Sequence, residues 1–235
     1  MGLTLRQRYG YLRRTTKYGL KFLLRGRKRH ILVAAFPKSG SSFLQSIISK
    51  ISGFQQLAVT HPQHWFSRAE QELDEGRLVM FHHLDYVSRL HVRHSRTTQN
   101  FIENFDLHPV VLVRNIFDTI VSLSDHLTKG LASPDFSMLW VDEEFKKLDP
   151  KKRFEFIVDL AVPWYIHFFV SWNYCENKVL VTYENLNNDT HGTIKNLLNV
   201  LQIPSSDENI SEYINKASKS GTLKNVAKIG RGEIL

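Results

Sequence analysis

The chain has 235 residues, of which 42% are hydrophobic and 23% are charged. This composition excludes an intrinsically disordered protein and is enough for one domain with a sizeable core. The net charge of +8 favours an anionic partner, and charge alone leaves open nucleic acid, an anionic membrane and a ligand with several phosphates. The single cysteine, Cys175, excludes an intramolecular disulfide and a zinc site made of cysteines, which fits a reducing compartment.

The first 30 residues form a basic segment with ten Lys or Arg side chains, and the first acidic residue of the chain is Glu70. Apolar residues lie between these charges, so an amphipathic helix on an anionic membrane and a solvated arm both stay open. A transit peptide also stays open, whereas a secretory signal is disfavoured because no uninterrupted apolar core is present. We treat residues 1–30 as a basic N-terminal arm and 31–235 as one domain, and expect a cytoplasmic protein that can touch a membrane peripherally.

Four short apolar runs beyond the arm predict buried parallel strands, and segments with helical periodicity separate them. The predicted strands cover 31–36, 78–82, 109–114 and 178–183, and the predicted helices cover 41–51, 117–127, 154–174 and 190–201. This alternation predicts an α/β fold, a three-layer sandwich with a central and mostly parallel sheet. The apolar stretch 156–172 contains Asp159, Pro163 and His167, so we expect a buried helix there rather than a membrane span.

The first predicted strand runs into the sequence FPKSGSSF, which then enters a helix. Such a junction suits polyphosphate binding, because the first helical turn presents N–H groups, Gly40 permits close approach and Lys38 adds a positive charge. The lysine precedes Gly40 and no leading glycine is present, so this is not the loop of ordinary P-loop nucleotidases. Taken alone, the junction also fits a plain helix start capped by Ser41 or Ser42.

The longer run ILVAAFPKSGSSFLQSII closely resembles the 5'-phosphosulfate loop of sulfotransferases that use 3'-phosphoadenosine 5'-phosphosulfate (PAPS). That family usually has Thr-Thr-Trp where this chain has two serines and a phenylalanine, so the hydroxyls and the ring are kept in kind. The resemblance implies a P-loop-like sulfotransferase fold and places Lys38 on the bridging phosphosulfate oxygen and Phe43 near adenine. The residues that it assigns to the donor here are Lys38, Ser39, Gly40, Ser41, Ser42 and Phe43.

Two further segments resemble the same family. VVLVRNIFDTIVSLSDHL is similar to its 3'-phosphate element and places Arg114 and Ser122 on that phosphate. A residue that follows a parallel strand lies where ligands bind, and an arginine can grip phosphate with two N–H groups. Without the phosphate-loop motif, an ion pair of Arg114 with Asp118 or Asp125 is the simpler interpretation. VTYENL resembles the end of the family's last strand and assigns Tyr183 to the nucleotide pocket.

The end of the chain, KIGRGE, resembles the segment that closes over the 3'-phosphate in this family, with a different spacing. The resemblance implies donor contacts from Arg231 and Gly232, and it brings Ser218 towards the adenine or the 3'-phosphate. A flexible basic tail fits the same residues.

The resemblance also implies a general base. In members of the family, a His in a His-Leu-Pro turn after the second strand takes the acceptor proton, and LVMFHHLDY places His83 there, with Asp85 at the usual Pro. His82 stays open as the base if the register slips by one residue. Histidine suits this role because its unperturbed pKa lies near neutrality. Lys38 is assigned to the leaving phosphate, and we expect no metal requirement.

These residues predict sulfuryl transfer from PAPS to the hydroxyl or amine of a small molecule, a glycan or a lipid, with no nucleic acid as partner. Three alternatives stay open at this point. A kinase of similar fold needs a metal-binding carboxylate at a strand end. A membrane or nucleic-acid module needs only the basic arm, and a degenerate sulfotransferase binds nucleotide without turnover.

Overall fold

A computed structural model describes residues 28–61, 71–128, 135–136 and 139–219 of the chain. In chain order, its elements are β1 (His30–Ala35), α1 (Ser41–Ser52), β2 (Gln55–Gln56), α2 (Glu75–Phe81), β3 (Tyr86–Leu90), α3 (Arg96–Asn104), β4 (Leu107–Val113), α4 (Ile116–Thr128), β5 (Asp135–Phe136), β6 (Leu139–Trp140), α5 (Glu143–Lys147), α6 (Pro150–Asn173), β7 (Val179–Thr182), α7 (Tyr183–Asn188), α8 (Thr190–Val200) and α9 (Asp207–Lys219).

Strand β1 is the middle strand of a five-stranded sheet with the order β2-β3-β1-β4-β7. It pairs in parallel with β3 and β4, and the outer pairs β2–β3 and β4–β7 are also parallel. Parallel neighbours require crossover connections, which the helices supply. The predicted α/β fold with a mostly parallel sheet flanked by helices is confirmed.

Both faces of the sheet are covered, because successive side chains of β1 point to opposite sides. Leu32 and Ala34 join a core with helix α6, whereas Ile31 and Val33 join a second core with helices α1 and α8. All six residues of β1 are buried. A strand that is covered on both faces reads as a continuous apolar run, which is why the sequence located β1 correctly.

The strand predicted over residues 78–82 is wrong, because these residues lie in helix α2 and the turn that follows it. The Asp74 side chain accepts a hydrogen bond from the Arg77 backbone N–H at 2.8 Å and caps the helix. Leu78 is buried and Met80 is 52% exposed, as expected for one buried helix face. The strand of this region is β3, Tyr86–Leu90, which the sequence analysis did not identify.

Helix α6 packs one face against the sheet and leaves the other exposed. Asp149 caps its start, Trp172 is 1% exposed in the core, and Ile166 on the outer face is 57% exposed. Among the described residues, α6 is the helix that is long and apolar enough to cross a membrane by length and composition, and 28% of its most apolar window is buried. The expected buried helix is therefore buried along its inner face, which anchors it to the sheet.

The domain starts before the boundary that the sequence suggested. His30 is the first residue of β1 and is buried. The Arg29 backbone N–H donates to Asp85 Oδ1 at 2.9 Å, and its Nη1 donates to the Leu201 carbonyl oxygen at 3.1 Å. Residues 28–30 are thus part of the domain. The remainder of the predicted basic arm, with the membrane contact assigned to it, lies outside the described residues.

Candidate functional site

The carboxyl ends of the parallel strands bring together the segments that carry the candidate site. The loop of residues 36–40 follows β1, Arg114 follows β4, Tyr183 follows β7 and His91 follows β3. In an open α/β sheet, ligands bind at this edge, where helix N-termini also converge. Residues that are far apart in the sequence are therefore brought to the same edge of the sheet.

The loop between β1 and α1, residues 36–40, has a backbone that is shaped for an anion; we call it the phosphate loop. Lys38 and Gly40 both adopt left-handed conformations, with φ of 69° and 84°. Ser39 Oγ donates to the Phe36 carbonyl oxygen at 2.6 Å and holds the turn. Gly40 is the N-cap of α1 without a side-chain cap. The Phe43 backbone N–H donates to the Gly40 carbonyl oxygen at 3.0 Å, so the N–H groups of Ser41 and Ser42 form the positive end for a ligand.

Gly40 is in contact with a distant part of the chain. A Cβ atom at this position would lie 3.2 Å from Cδ2 and 3.3 Å from Cε2 of Tyr183. These distances are tight for a side chain, and the positive φ of residue 40 adds backbone strain for any residue other than glycine. Tyr183 is itself fully buried. Gly40 and Tyr183, which were both predicted to belong to the donor site, thus lie side by side, and the Tyr183 ring packs against the phosphate loop.

Arg114 braces the phosphate loop. Its Nη1 donates to the Lys38 carbonyl oxygen at 2.9 Å, and its guanidinium carbon lies 4.1 Å from the ring centroid of Tyr183. The side chain is 5% exposed. A guanidinium held between a backbone oxygen and an aromatic face is well oriented. Arg114 therefore places a fixed positive charge directly beneath the loop.

Two side chains tie the neighbouring strand ends to this arrangement. Tyr165 OH, on α6, donates to the Pro37 carbonyl oxygen at 3.4 Å. Burial raises the pKa of Tyr165 well above its usual value, so the hydroxyl stays protonated. Glu184 Oε1 accepts from the Asn115 backbone N–H at 2.8 Å and links the residues that follow β7 and β4.

The end of β3 adds two residues that the sequence analysis missed. His91 Nδ1 lies 2.8 Å from the Ala35 carbonyl oxygen. Because a carbonyl oxygen only accepts, Nδ1 carries the hydrogen, and in the neutral ring the lone pair is on Nε2. Arg89 Nη1 donates to Ser42 Oγ at 2.9 Å and adds a charge beside the first turn of α1. The sequence would have indicated both residues only if β3 had been located, because residues at the end of a parallel strand lie at the edge of the sheet where ligands bind.

His83 and His82 lie at the opposite edge of the sheet. They follow helix α2 and precede β3, and the His82 carbonyl oxygen lies 3.1 Å from His30 Nε2, at the start of β1. Six residues of strand separate His30 from the phosphate loop, which corresponds to about 20 Å. The structure therefore does not bring His83 to Lys38. The sequence register failed because it assumed a strand where α2 lies.

The remaining predicted donor residues have different surroundings. Ser41 is buried and Ser42 is exposed in the first turn of α1. Phe43 is 2% exposed and packs in the second core, so its ring supports the helix. Ser122 is half-buried on α4, the helix that follows Arg114. The backbone of residue 218 is in α9, whereas its side chain and the predicted contacts of Arg231 and Gly232 lie outside the described residues.

The site has a positive character that fits a phosphate-bearing ligand. Arg89 donates to Ser42 in the first turn of α1, Arg114 donates to the Lys38 carbonyl oxygen, and Gly40 has no side chain that would keep a ligand from the helix N-terminus. Within residues 28–61, 71–128 and 139–217, no group of three His, Cys, Asp or Glu side chains is arranged to hold a metal ion. The positive groups therefore favour an anionic ligand.

The chain is similar to a known protein family and to several solved structures. The chain matches the family model "Sulfotransferase domain" over residues 28–229. No individual curated sequence matches it significantly. Among solved structures, mouse sulfotransferase SULT7A1 complexed with PAP is 17% identical, with 86% of this chain and 69% of that chain covered and a TM-score of 0.61. Retinol dehydratase in complex with androsterone and the inactive cofactor PAP is 15% identical, with coverages of 88% and 72% and a TM-score of 0.53.

Proposed function

Because the chain belongs to the sulfotransferase domain family, we propose that it transfers a sulfuryl group from PAPS to an acceptor hydroxyl or amine. The observation that carries this proposal is the positive phosphate loop, held by Arg114 and Tyr183 at the carboxyl edge of the sheet. The similar structures that hold PAP, one of them together with androsterone and another with retinol, support the donor and a small-molecule acceptor.

The donor is held by groups that match its charges. The N–H groups of the first turn of α1, with Ser41, Ser42 and Lys38, bind the 5'-phosphosulfate end. Arg89 Nη1, already on Ser42 Oγ at 2.9 Å, adds a second charge there. Arg114 and Ser122 are assigned to the 3'-phosphate, since Arg114 is fixed beneath the same loop.

His91 is the general base of this proposal, in place of His83. Its Nδ1–H donates to the Ala35 carbonyl oxygen at 2.8 Å, one residue before the phosphate loop. This hydrogen bond fixes the ring and places the hydrogen of the neutral ring on Nδ1, so Nε2 is the nitrogen assigned here to take the acceptor proton. A positioned base contributes about 10²–10⁴-fold to the rate of such a reaction. The His91 backbone N–H is also held, by Gln71 Oε1 at 2.7 Å.

In the transfer step, PAPS supplies the sulfuryl group: the acceptor oxygen forms a bond to sulfur, and the bond from sulfur to the phosphate oxygen breaks with its electron pair on that oxygen. His91 Nε2 takes the acceptor proton. Lys38 and the N-terminus of α1 offset the charge that develops on the departing oxygen. By analogy with phosphoryl transfer, positioning and fixed charge dominate such a reaction, so we expect activity without a divalent metal.

The first test is calorimetric binding of PAP, 3'-phosphoadenosine 5'-phosphate, with ATP as the control nucleotide. We expect Lys38→Ala to weaken PAP binding by about 10- to 100-fold, the usual size of a charged hydrogen bond. Lys50→Ala, an exposed lysine in the last turn of the same helix, is the matched control and is expected to bind normally. If ATP binds as tightly as PAP, or if the two lysine variants behave alike, the proposed function is wrong.

A further inference from the structure

The proposed base lies just beyond the end of strand β3. The register of β1 with β3 ends with Ala34 opposite Leu90, and residues 91–94, which we call the base segment, follow directly. Buried backbone N–H and C=O groups need hydrogen-bond partners, and outside a sheet these partners come from side chains, loops or water. Side-chain contacts to the base segment therefore bear directly on the position of His91.

A buried glutamine holds the peptide group on the N-terminal side of His91. Gln71 is 5% exposed, and its Oε1 accepts a hydrogen bond from the His91 backbone N–H at 2.7 Å. The His91 ring has its own contact, from Nδ1 to the Ala35 carbonyl oxygen at 2.8 Å. The backbone and the ring of His91 are thus anchored to two different parts of the chain, so a movement of the backbone also disturbs the hydrogen bond of the ring.

Helix α6 holds the C-terminal side of His91. Trp172 Nε1 donates to the Val92 carbonyl oxygen at 2.9 Å, and Ser171 Oγ accepts from the His94 backbone N–H at 3.1 Å. Trp172 and Val92 are both buried, so their hydrogen bond is shielded from water, and its loss costs more than the loss of an exposed one. Side chains from outside β3 therefore fix the backbone on both sides of His91.

We propose that Gln71 and Trp172 are positioning residues for the base, which act through the backbone of the base segment and not through contact with either substrate. Misplacement of a reacting group by about 1 Å can lower a rate by about 10²-fold. This inference rests on the proposed function, because it takes His91 as the base, and it adds the two side chains that orient this histidine. Removal of either contact loosens the ring, so that its hydrogen exchanges between Nδ1 and Nε2.

The test is ¹⁵N NMR of the His91 ring in the full chain at about pH 8, where a histidine of ordinary pKa is neutral. The signal is assigned by its loss in His91→Gln. We expect the Nδ1–H form in the unmodified protein, with a large difference between the shifts of the two ring nitrogens, and a smaller difference in Gln71→Met and in Trp172→Phe. In both variants, kcat for sulfate transfer from PAPS to 4-nitrophenol, or to water, should fall about 10- to 100-fold with the KM for PAPS unchanged.

Gln45→Met is the matched control, because Gln45 is also a buried glutamine that bonds to the backbone of β3, from its Nε2 to the Val87 carbonyl oxygen at 3.1 Å. We expect it to leave the ring shifts and kcat unchanged. Gln71→Glu keeps an acceptor oxygen at the same place and should retain the Nδ1–H form. An unchanged shift difference in Gln71→Met or in Trp172→Phe overturns the role of that residue, and an equal change in Gln45→Met overturns both. Absence of PAP binding to the unmodified protein instead overturns the proposed function.

Discussion

Histidines lie both at the amino edge of the central sheet, where its parallel strands begin, and at the carboxyl edge, where they end, and the hydrogen bonds of these rings differ. At the amino edge, His30 has Nδ1 at 2.8 Å from the Phe105 carbonyl oxygen and Nε2 at 3.1 Å from the His82 carbonyl oxygen. At the carboxyl edge, His91 uses Nδ1 on the Ala35 carbonyl oxygen. The His30 ring bridges two carbonyl oxygens, but the neutral ring has one N–H and donates to only one of them, whereas the His91 ring is oriented by a single carbonyl oxygen at Nδ1.

The arrangement of charges also differs between the two edges: opposite charges are paired at one edge, and positive charges adjoin at the other. At the amino edge, Lys28 Nζ and Asp85 Oδ2 lie 2.9 Å apart, so opposite charges are matched. At the carboxyl edge, Arg114 Nη1 donates to the backbone carbonyl oxygen of Lys38, so two basic residues adjoin at the loop that leads into α1. A matched pair stabilises the fold modestly, and an accumulation of one sign attracts a ligand of the other sign.

The largest expected effect comes from removing the histidine of each edge in turn. We expect His91→Ala to lower kcat by about 10²–10⁴-fold, because the proton acceptor is lost. We expect His83→Ala to leave kcat within about threefold, because His83 is half-buried at the amino edge, away from the phosphate loop. Initial rates of sulfate transfer from PAPS measure both, with PAP binding as a check that the site stays folded. A large loss in His83→Ala with none in His91→Ala reverses the assignment of the two edges.

A smaller effect is expected for the two glycines that bracket helix α1. Gly40 and Gly53 have φ of 84° and 73°, but a Cβ meets the Tyr183 ring at residue 40 and nothing within 4 Å at residue 53. Each alanine variant should lose about 1–2 kcal/mol of unfolding free energy through the left-handed backbone. Gly40→Ala should lose more and also bind PAP more weakly. Denaturant unfolding with PAP calorimetry checks this, and equal losses in both assays show that the Tyr183 contact is unimportant.

The smallest effect is a pH dependence from the amino edge. Burial lowers the pKa of His30 below its usual 6.5. The groups that raise this pKa, and so offset part of the effect, are the Phe105 and His82 carbonyl oxygens and the Asp106 and Asp85 carboxylates. The rings of His82 and Tyr86 also lie against the His30 ring. The unfolded chain then binds more protons than the folded one as pH falls through 6.5, so unfolding free energy decreases there and is fully retained above 6.5.

We expect His30→Gln to flatten this decrease between about pH 6.5 and 5, because the unfolded state loses its titrating imidazole. Urea unfolding at a series of pH values measures the slope. His108→Gln, on neighbouring β4, is the control for a histidine outside the bridge. An unchanged slope in His30→Gln shows that another group produces the acid sensitivity.

Much of the fold and one half of the candidate site follow from the sequence, because local patterns determine them. The run before Lys38 is a strand buried on both faces, and a loop with Gly40 must follow it. Arg114 and Tyr183 were placed correctly at strand ends, since β4 and β7 also have apolar runs. The assignments of Ser122 to a phosphate and of Lys38 to the departing oxygen stay predictions.

His83 was expected at the carboxyl edge of the sheet, which is wrong, because a short apolar run has no fixed periodicity. Leu78 and Val79 begin a run that fits a strand as well as a helix turn, and only the cap at Asp74 indicates the helix. β3 contains the polar Ser88 and Arg89, so it reads less like a buried strand. Contacts such as Arg89 with Ser42 join elements whose neighbourhood depends on the sheet order, which no local pattern contains.

The central position of β1 has a consequence for how the protein is made. During synthesis, β1 is made before its two partner strands, β3 and β4, so its apolar faces stay uncovered until those strands have been synthesised. The Tyr183 ring, which packs against Gly40, is synthesised later still. A nascent chain that stops before β7 therefore exposes both a hydrophobic strand and an unsupported phosphate loop, and completion of the domain is a late, long-range event that favours slow folding.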